Sequence, residues 1–261
     1  MAGMATDPLV LYDNAFSPYA FKVRATLYEK GIEHRKHEMR VAADRDALLK
    51  VNPRGEVPAI SHGDALVYDS SVICEYLESV FPEPPLFPRS PAEQARCRLL
   101  ERMADGPIDG CVIGMAIVKL FAPQLEKSHP HVLAAALEQL GRLYEYLEQE
   151  LGGREYFCGE LSRADLALVA HLSGASVMGA PPTSERLAAW HLRMTGRPAI
   201  VRAQEEFTQA FRESLTLEDP FFGKGGLHVR DHRLEWCVRF GLAQWIADEL
   251  EAKRVHFSPV P

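Results

Sequence analysis

Hydrophobic and polar residues follow two different periods along the first third of the chain. Short apolar runs, which predict strands, occupy residues 9–12, 57–60 and 65–68, with a weaker and more polar candidate at 34–39. Apolar residues at helical spacing predict helices over about 18–30, 44–51 and 70–80. The predicted order of elements is therefore β-α-β-α-β-β-α.

Capping and turn residues mark the ends of these elements. Ser17 before Pro18 is typical of a helix start, because serine caps the first turn and proline fits its first position. Gly31 is expected to end that helix. The tripeptide His62-Gly63-Asp64 predicts a tight turn, so the strands on either side of it should form an antiparallel hairpin.

A proline-rich segment at residues 82–88 predicts a stiff linker. Beyond it the spacing of apolar residues predicts helices at 91–121, 129–151, 162–178, 184–195 and 198–213, a final helix over about 231–252, and no convincing strand. We therefore predict three regions: an α/β domain over 1–84, an all-α domain over 85–218, and an extension over 219–261 with one amphipathic helix.

Charge and composition narrow the range of functions. The 261 residues carry 29 Lys and Arg against 36 Asp and Glu, a formal net charge of −7. This balance argues against nucleic acid as a partner, since phosphate binding needs clustered basic residues. The longest uncharged stretch, 166–184, contains His171, two glycines and a pair of prolines, so no membrane segment is predicted.

Cysteine and histidine usage predicts neither disulfides nor a metal site. The five cysteines are scattered without a CxxC pair, which favours a reducing, cytoplasmic location. Residues 1–8 lack the basic and apolar regions of a signal peptide. His129 and His131, like His228 and His232, have no acidic or cysteine partner at ligand spacing, so we expect no metal.

Three sequence blocks resemble the glutathione S-transferase family in their order and spacing. They are residues 17–24 (SPYAFKVR), 52–59 (NPRGEVPA) and 69–77 (DSSVICEYL). A fourth block, 161–166 (LSRADL), is similar to a helical segment of the family and predicts a capping box between Ser162 and Asp165. Each block alone is weak evidence for the family, but the four blocks together are strong evidence. The resemblance covers roughly residues 8–215 and leaves the whole extension outside it.

The resemblance implies an N-terminal thioredoxin-like domain, an all-helical C-terminal domain, and glutathione as co-substrate. The bond between Val57 and Pro58 is then cis, and the Val57 backbone pairs with the peptide of glutathione. The γ-glutamyl carboxylate is expected on Ser70, at a helix start that attracts anions. Asp69 is expected to pair with the γ-glutamyl ammonium group.

Glu56 departs from the family's pattern, which often has Lys or Gln at this place to help hold the glycyl carboxylate. In this chain the carboxylate of Glu56 would face the glycyl carboxylate of glutathione. Three basic residues could compensate, namely Arg54, His37 and Arg40, and Arg54 is included among the predicted binding residues.

Ser17 is predicted to activate the glutathione thiol. A thiol with a pKa near 8.5 is only about 3% ionised at pH 7, and a hydroxyl that donates to the sulfur at a helix start favours the anion. Tyr12, at the end of the first predicted strand, is the rival, because some family members use a tyrosine there. A cysteine at position 17 would have implied thiol-disulfide exchange, and the serine argues against it.

The pocket for the second substrate is expected in the helical domain, near residues 102–121. Its apolar candidates are Met103, Ile108, Val112, Met115, Ile117 and Phe121, most of which are expected to pack in the core. Gly110 and Gly114 lower helix propensity. Either tight helix packing or room for a ligand would explain these two glycines.

These features predict a homodimeric, cytoplasmic glutathione S-transferase that attacks a small apolar electrophile, as detoxifying members do. A specialised glutathione-dependent lyase or isomerase is a related alternative, because the blocks also resemble bacterial members that cleave aryl ethers or isomerise ring-fission products. A non-catalytic regulator or scaffold that binds a protein partner is an alternative of another class, favoured by Glu56 and the extension. The extension is expected to pack on the helical domain, or else to close the pocket or dock a partner.

Overall fold

The computed structural model describes residues 7–39, 44–214 and 227–257. Packing divides the chain into two compact units. The first takes in Met1–Phe87, Arg197–His228 and His256–Pro261, and the second takes in Pro88–Gly196 and Val229–Val255. Within the described ranges, no helix is both long and apolar enough to cross a membrane.

The first unit is built on a four-stranded sheet. Its strands are β1 (Leu9–Asp13), β2 (Arg35–Glu38), β3 (Ala59–His62) and β4 (Ala65–Tyr68), and its first three helices are α1 (Pro18–Glu29), α2 (Arg45–Leu49) and α3 (Ser70–Val80). The strand order is β2-β1-β3-β4, with β1 and β2 parallel and the other neighbours antiparallel. The predicted succession of elements is confirmed.

One apolar cluster joins the sheet to α1 and α3. Its buried members are Leu9, Leu11, Val23, Leu27, Ile60, Ile73, Cys74 and Leu77. β2 is exposed along its whole length, which explains why its sequence is polar and only weakly strand-like. The β3–β4 hairpin turns through Gly63, whose φ of +56° suits glycine, as the turn sequence predicted.

The second unit is helical. Its first six helices are α4 (Pro91–Met103), α5 (Asp109–Ala116), α6 (Leu125–Ser128), α7 (Pro130–Leu151), α8 (Arg163–Val177) and α9 (Glu185–Thr195). The chain is helical without a break over 91–121, as predicted, but π-helical turns at Ala104–Ile108 and Ile117–Phe121 interrupt its α-helical hydrogen bonding. The first of these turns contains Pro107, which has no N–H for the α-helical ladder, and the wider turn accommodates it.

Helix α8 begins with the predicted capping box. Asp165 Oδ2 accepts the Ser162 N–H at 3.0 Å. The other carboxylate oxygen, Oδ1, accepts the Phe157 N–H at 3.1 Å and the Trp190 indole N–H at 2.9 Å. Asp165 therefore ties the start of α8 to the preceding turn and to α9, which is the folding role that the motif predicted.

Helix α10 (Pro198–Ser214) packs within the first unit rather than the second. Arg197, just before it, donates to the Glu29 carboxylate at 2.7 and 2.8 Å, and Glu206 accepts from Lys36 at 2.9 Å. Packing thus groups α10 with the sheet. The sequence-based division into three domains remains a prediction, with bounds of 1–84, 85–218 and 219–261.

The described part of the extension contains two helices, α11 (Asp231–Arg239) and α12 (Ala243–Glu251). The prediction of a single helix over 231–252 is wrong, because Gly241 has a φ of +86° and ends the first helix. Two-residue strands β5 (Leu227–His228) and β6 (Val255–His256) form a small separate sheet, which the apolar pattern did not indicate.

Candidate functional site

Three segments of the first unit meet at one end of the sheet. Tyr12 on β1 is opposite Ala59 on β3, and Ala59 is opposite Tyr68 on β4. The chain therefore leaves β1, enters β3 and leaves β4 at this same end. The predicted site residues that these three segments carry are Ser17, Val57, Pro58, Asp69 and Ser70.

Ser17 caps α1, and its hydroxyl group can still donate a hydrogen bond to a second partner. Its backbone is extended, and its Oγ accepts the Ala20 N–H at 3.2 Å. Accepting that bond uses an oxygen lone pair, so the hydroxyl hydrogen is still available to donate. The group also stands at the positive end of the helix, where unpaired N–H groups favour a negative charge.

A buried ion pair fixes the turn before Ser17. Arg24 on α1 donates to both carboxylate oxygens of Asp13, at 2.7 and 2.9 Å, and neither side chain is exposed. The same guanidinium donates to Ala15 O at 3.3 Å. These bonds tie α1 to the chain leaving β1, on either side of Ser17.

The peptide bond between Val57 and Pro58 is cis, as the resemblance implied. Asn52 is 1% exposed and holds the turn before this bond. Its Nδ2 donates to Glu56 O at 2.7 Å, and its Oδ1 accepts the Arg54 N–H at 2.9 Å. The sequence motif contained Asn52 but suggested no role for it; the usable signal was an asparagine ahead of a proline and a glycine, which is typical of turns.

Asp69 has a left-handed backbone at the start of α3. Its φ is 71°, which is uncommon for a residue other than glycine. Residues with such a backbone are found preferentially at functional sites. Its Oδ1 accepts the N–H groups of Ser71 and Val72, at 3.0 and 3.5 Å. This cap does not use the N–H of Ser70, whose side chain is buried.

Glu56 is buried between two basic side chains. Its carboxylate lies 3.3 Å from Arg54 Nη2 and 3.6 Å from His228 Nε2. Arg54, one of the three residues expected to compensate this anion, therefore pairs with it, and its Nη1 also lies 4.0 Å from Asp69 Oδ2. The sequence did not indicate His228 as a partner of Glu56, because no spacing rule connects a residue of the extension with this turn.

Tyr12, the rival for thiol activation, lies in a small apolar cluster with Met39, Leu48 and Val57. Its ring stacks on His37 with the centroids 5.6 Å apart. His37, the second residue expected to compensate Glu56, is thus a stacking partner of Tyr12. Arg40, the third residue expected to compensate Glu56, lies outside the described residues.

Comparison with known proteins decides the family. Residues 11–85 match the glutathione S-transferase N-terminal domain, and residues 111–198 match the glutathione S-transferase C-terminal domain. Protein LigF of Sphingobium sp. (strain SYK-6) is 30% identical over 249 residues, covering 79% of this chain and 96% of that protein. The chain belongs to the glutathione S-transferase family.

Solved structures of the family share this fold. A glutathione S-transferase from Rhodospirillum rubrum gives a TM-score of 0.67 at 27% identity, covering 75% of this chain and 91% of that one. FzlA from C. crescentus gives 0.67 at 26%, with coverages of 76% and 92%. The β-etherase LigF gives 0.62 at 30%, with coverages of 76% and 99%. The predicted thioredoxin-like domain followed by an all-helical domain is confirmed.

In this glutathione S-transferase, the apolar residues expected near the second substrate fall into two groups. Fully buried in the second unit are Ile108, Met115 and Ile117. Partly exposed are Met103, Val112 and Phe121. The first group forms core, as expected for most of the set, and the pocket for the second substrate stays a prediction.

Gly110 and Gly114 make room for Trp236 of the extension. A Cβ would lie 2.9 Å from the Trp236 ring at Gly110 and 2.2 Å from it at Gly114, both too close for a real contact. Trp236 is 4% exposed, and its indole N–H donates to Gln139 Oε1 at 2.8 Å. Tight packing therefore explains both glycines, and α11 packs on the helical unit as expected.

A buried acid on α5 holds the extension at a second point. Asp109 accepts from Arg233 at 2.6 and 2.9 Å, and its Oδ2 lies 2.7 Å from His232 Nε2. Burial acts to raise the pKa of Asp109, but the Arg233 charge and these bonds hold it well below its usual value. His171 lies 3.6 Å from Asp109 and 3.4 Å from Asp105. The only sequence signal for this cluster was the pair of acids one helical turn apart.

The histidine pairs considered for metal binding have other contacts. His232 faces Asp109, His228 faces Glu56, and His131 Nε2 lies 3.1 Å from Phe240 O. Over residues 7–39, 44–214 and 227–257, no group of three or more His, Cys, Asp and Glu is placed to hold a metal ion.

Proposed function

We propose that this protein transfers glutathione to a small apolar electrophile, and that Ser17 activates the thiol. The observation that carries the proposal is the Ser17 cap, whose Oγ accepts the Ala20 N–H at 3.2 Å and keeps its hydrogen for a sulfur. Lowering the thiol pKa by two units requires about 2.7 kcal/mol of preference for the anion. A charge-assisted hydrogen bond together with the helix end supplies energy of this order.

Glutathione is held along its length in this proposal. The γ-glutamyl carboxylate takes the N–H and Oγ of Ser70, at a helix start that favours anions. Asp69 takes the γ-glutamyl ammonium group, and the Val57 backbone pairs with the middle of the peptide. Arg54, which lies 3.3 Å from Glu56, offsets the acidic residue that departs from the family pattern.

Ether cleavage is the second candidate, and one comparison favours it. LigF, whose structure is described as a β-etherase, is matched over 96% of its length at 30% identity. In that reaction the same thiolate attacks a carbon of the ether, a C–S bond forms, and the C–O bond breaks as the oxygen leaves. The two candidates therefore share Ser17 and differ in the leaving group.

A non-catalytic role remains the alternative of another class. FtsZ-localized protein A of Caulobacter vibrioides is 28% identical over 200 residues, covering 73% of this chain and 88% of that protein. A protein that binds glutathione resin but turns over neither an aryl halide nor an aryl ether would support this alternative.

The deciding experiment compares Ser17→Ala with Ser17→Thr and Tyr12→Phe on an aryl halide and an aryl ether. Ser17→Ala should lower turnover by about 10²-fold or more, because the thiolate loses its donor. Binding of glutathione should stay within a few-fold. The threonine variant keeps both cap and hydroxyl and should restore most of the rate, which separates donation from capping. A normal rate in Ser17→Ala and a lost rate in Tyr12→Phe would transfer the role to Tyr12.

A two-fold homodimer is part of the proposal. The first unit exposes apolar side chains on β4 and at the start of α3, namely Leu66 at 52%, Tyr68 at 37% and Val72 at 51%. Side chains of this kind are typical of a surface that a second copy covers. We also place the protein in the cytoplasm, a location that suits its five free cysteines.

A further inference from the structure

The extension brings a histidine to the turn that precedes the cis bond of the first unit. His228 lies on β5, which pairs with β6, and its Nε2 lies 3.6 Å from Glu56 Oε1. The Glu56 side chain is 6% exposed and that of His228 is 17% exposed, so solvent screens their interaction less than it screens a surface pair. His228 lies beyond residue 198, where the match to the C-terminal domain of the family ends, so the family pattern assigns it no role.

The other charged side chains at this turn leave one negative charge without compensation. Arg54 lies between two acids, with its Nη2 3.3 Å from Glu56 and its Nη1 4.0 Å from Asp69. Two carboxylates and one guanidinium sum to one negative charge. Glutathione with its thiol protonated has two carboxylates and one ammonium group, so it also carries one negative charge. A protonated His228 brings the sum over the four side chains to zero and removes the repulsion between site and ligand.

The short length of glutathione brings its glycyl carboxylate close to Glu56. This placement rests on the proposed function, in which the Val57 backbone pairs with the middle of the peptide. An extended peptide rises about 3.3 Å per residue, so each end of the tripeptide lies within one residue of that pairing. With the γ-glutamyl end on Ser70, the glycyl end is left beside Glu56, which is next to Val57 in the chain.

We propose that His228 is a positioning residue of the glutathione site, which pairs with Glu56 and so leaves Arg54 to hold the glycyl carboxylate. A guanidinium can bind a carboxylate through two parallel N–H groups, which suits Arg54 for this contact. Without His228, the same guanidinium would have to serve both Glu56 and the ligand. The extension thereby contributes a residue to glutathione binding, and the acid that departs from the family pattern becomes the anchor for that residue.

The test compares glutathione with glutathione amide, in which a carboxamide replaces the glycyl carboxylate, by titration calorimetry on the full chain. His228→Ala should bind glutathione about tenfold more weakly than the wild type does and should bind the amide within about twofold. His228→Lys keeps a cation and should restore most of the affinity for glutathione. The matched control His34→Ala removes a histidine next to the start of β2, at the opposite end of the sheet, and should bind both ligands as the wild type does.

A second pair of variants separates charge compensation from a role in holding the extension. In a Glu56→Gln background, the loss of affinity caused by His228→Ala should disappear, because no buried anion then needs a partner. In turnover assays, His228→Ala should raise KM for glutathione by a larger factor than it lowers kcat.

The role of His228 is wrong if His228→Ala weakens glutathione and its amide equally, or if the loss of affinity persists in the Glu56→Gln background. A wild type that binds neither ligand contradicts the proposed function and the role of His228 with it. A wild type that binds glutathione no more tightly than His228→Ala does contradicts the role of His228 alone and leaves the proposed role of Ser17 in place.

Discussion

Replacing Gly114 by alanine tests whether the extension is part of the helical fold. At an open helical site, glycine to alanine stabilises by about 1 kcal/mol. At Gly114 the new Cβ would lie 2.2, 2.4 and 2.8 Å from three atoms of the Trp236 indole. Because that ring is large and rigid, the methyl group fits only if Trp236 leaves its site.

The expected cost follows from what Trp236 loses. Removing a buried tryptophan side chain from a core costs about 3–5 kcal/mol. The helix gains about 1 kcal/mol from the same substitution. We therefore expect Gly114→Ala to lower the free energy of unfolding by about 2–4 kcal/mol.

Gly141→Ala is the matched control, since Gly141 lies inside α7 and nothing lies within 4 Å of a Cβ added there. That variant should be as stable as the wild type or more stable, by up to about 1 kcal/mol. Urea unfolding followed by circular dichroism measures both. In a Trp236→Ala background the cost of Gly114→Ala should disappear, because the clash is gone. Equal effects of Gly114→Ala and Gly141→Ala would refute the packing of α11 on α5.

Three further predictions concern the extension, the buried acid and assembly. Truncation after Glu218 should lower the melting temperature and raise binding of a hydrophobic dye, because the site of Trp236 on α5 is uncovered; unchanged melting would show the extension to be detached. The pKa of Asp109 is depressed in the folded state, so its stabilising contribution is present above about pH 3.9 and is lost as the pH falls below it. Asp109→Asn should therefore lower the free energy of unfolding by about 3–5 kcal/mol near neutral pH, since Arg233 loses its buried partner. The same variant should flatten the dependence of the unfolding free energy on pH between about pH 6 and 3. Parallel curves for variant and wild type would contradict this account. Leu66→Glu should shift the protein from dimer to monomer in sedimentation at micromolar concentration, and a wild type that sediments as a monomer would count against the proposed dimer.

Local rules were enough to predict the elements and several of their ends. The Ser17 cap, the Gly63 turn and the capping box of Ser162 and Asp165 depend on residues within a few positions of one another. Such features depend on backbone geometry and short-range hydrogen bonds, so the sequence specifies them wherever the element lies in the fold. The sequence blocks likewise placed the chain in its family.

Local rules did not predict what happens to a helix at a residue that interrupts its backbone hydrogen bonds. Gly241 divides the last predicted helix into two, and Pro107 lies in a π-helical turn inside a helix that continues on both sides of it. Both residues were visible in the sequence. Whether a helix continues through such a position or breaks there depends on the packing of its two halves, which helical spacing alone does not describe.

Contacts between distant parts of the chain were decided by the tertiary structure alone. Glu56 lies beside His228, and Gly114 lies beside Trp236, only after the helices and the sheet have packed. Each pair is separated by whole elements, so no periodicity or motif connects its members. The effect of the charge on Glu56 and of the missing side chain of Gly114 therefore depends on the neighbour that folding brings to each.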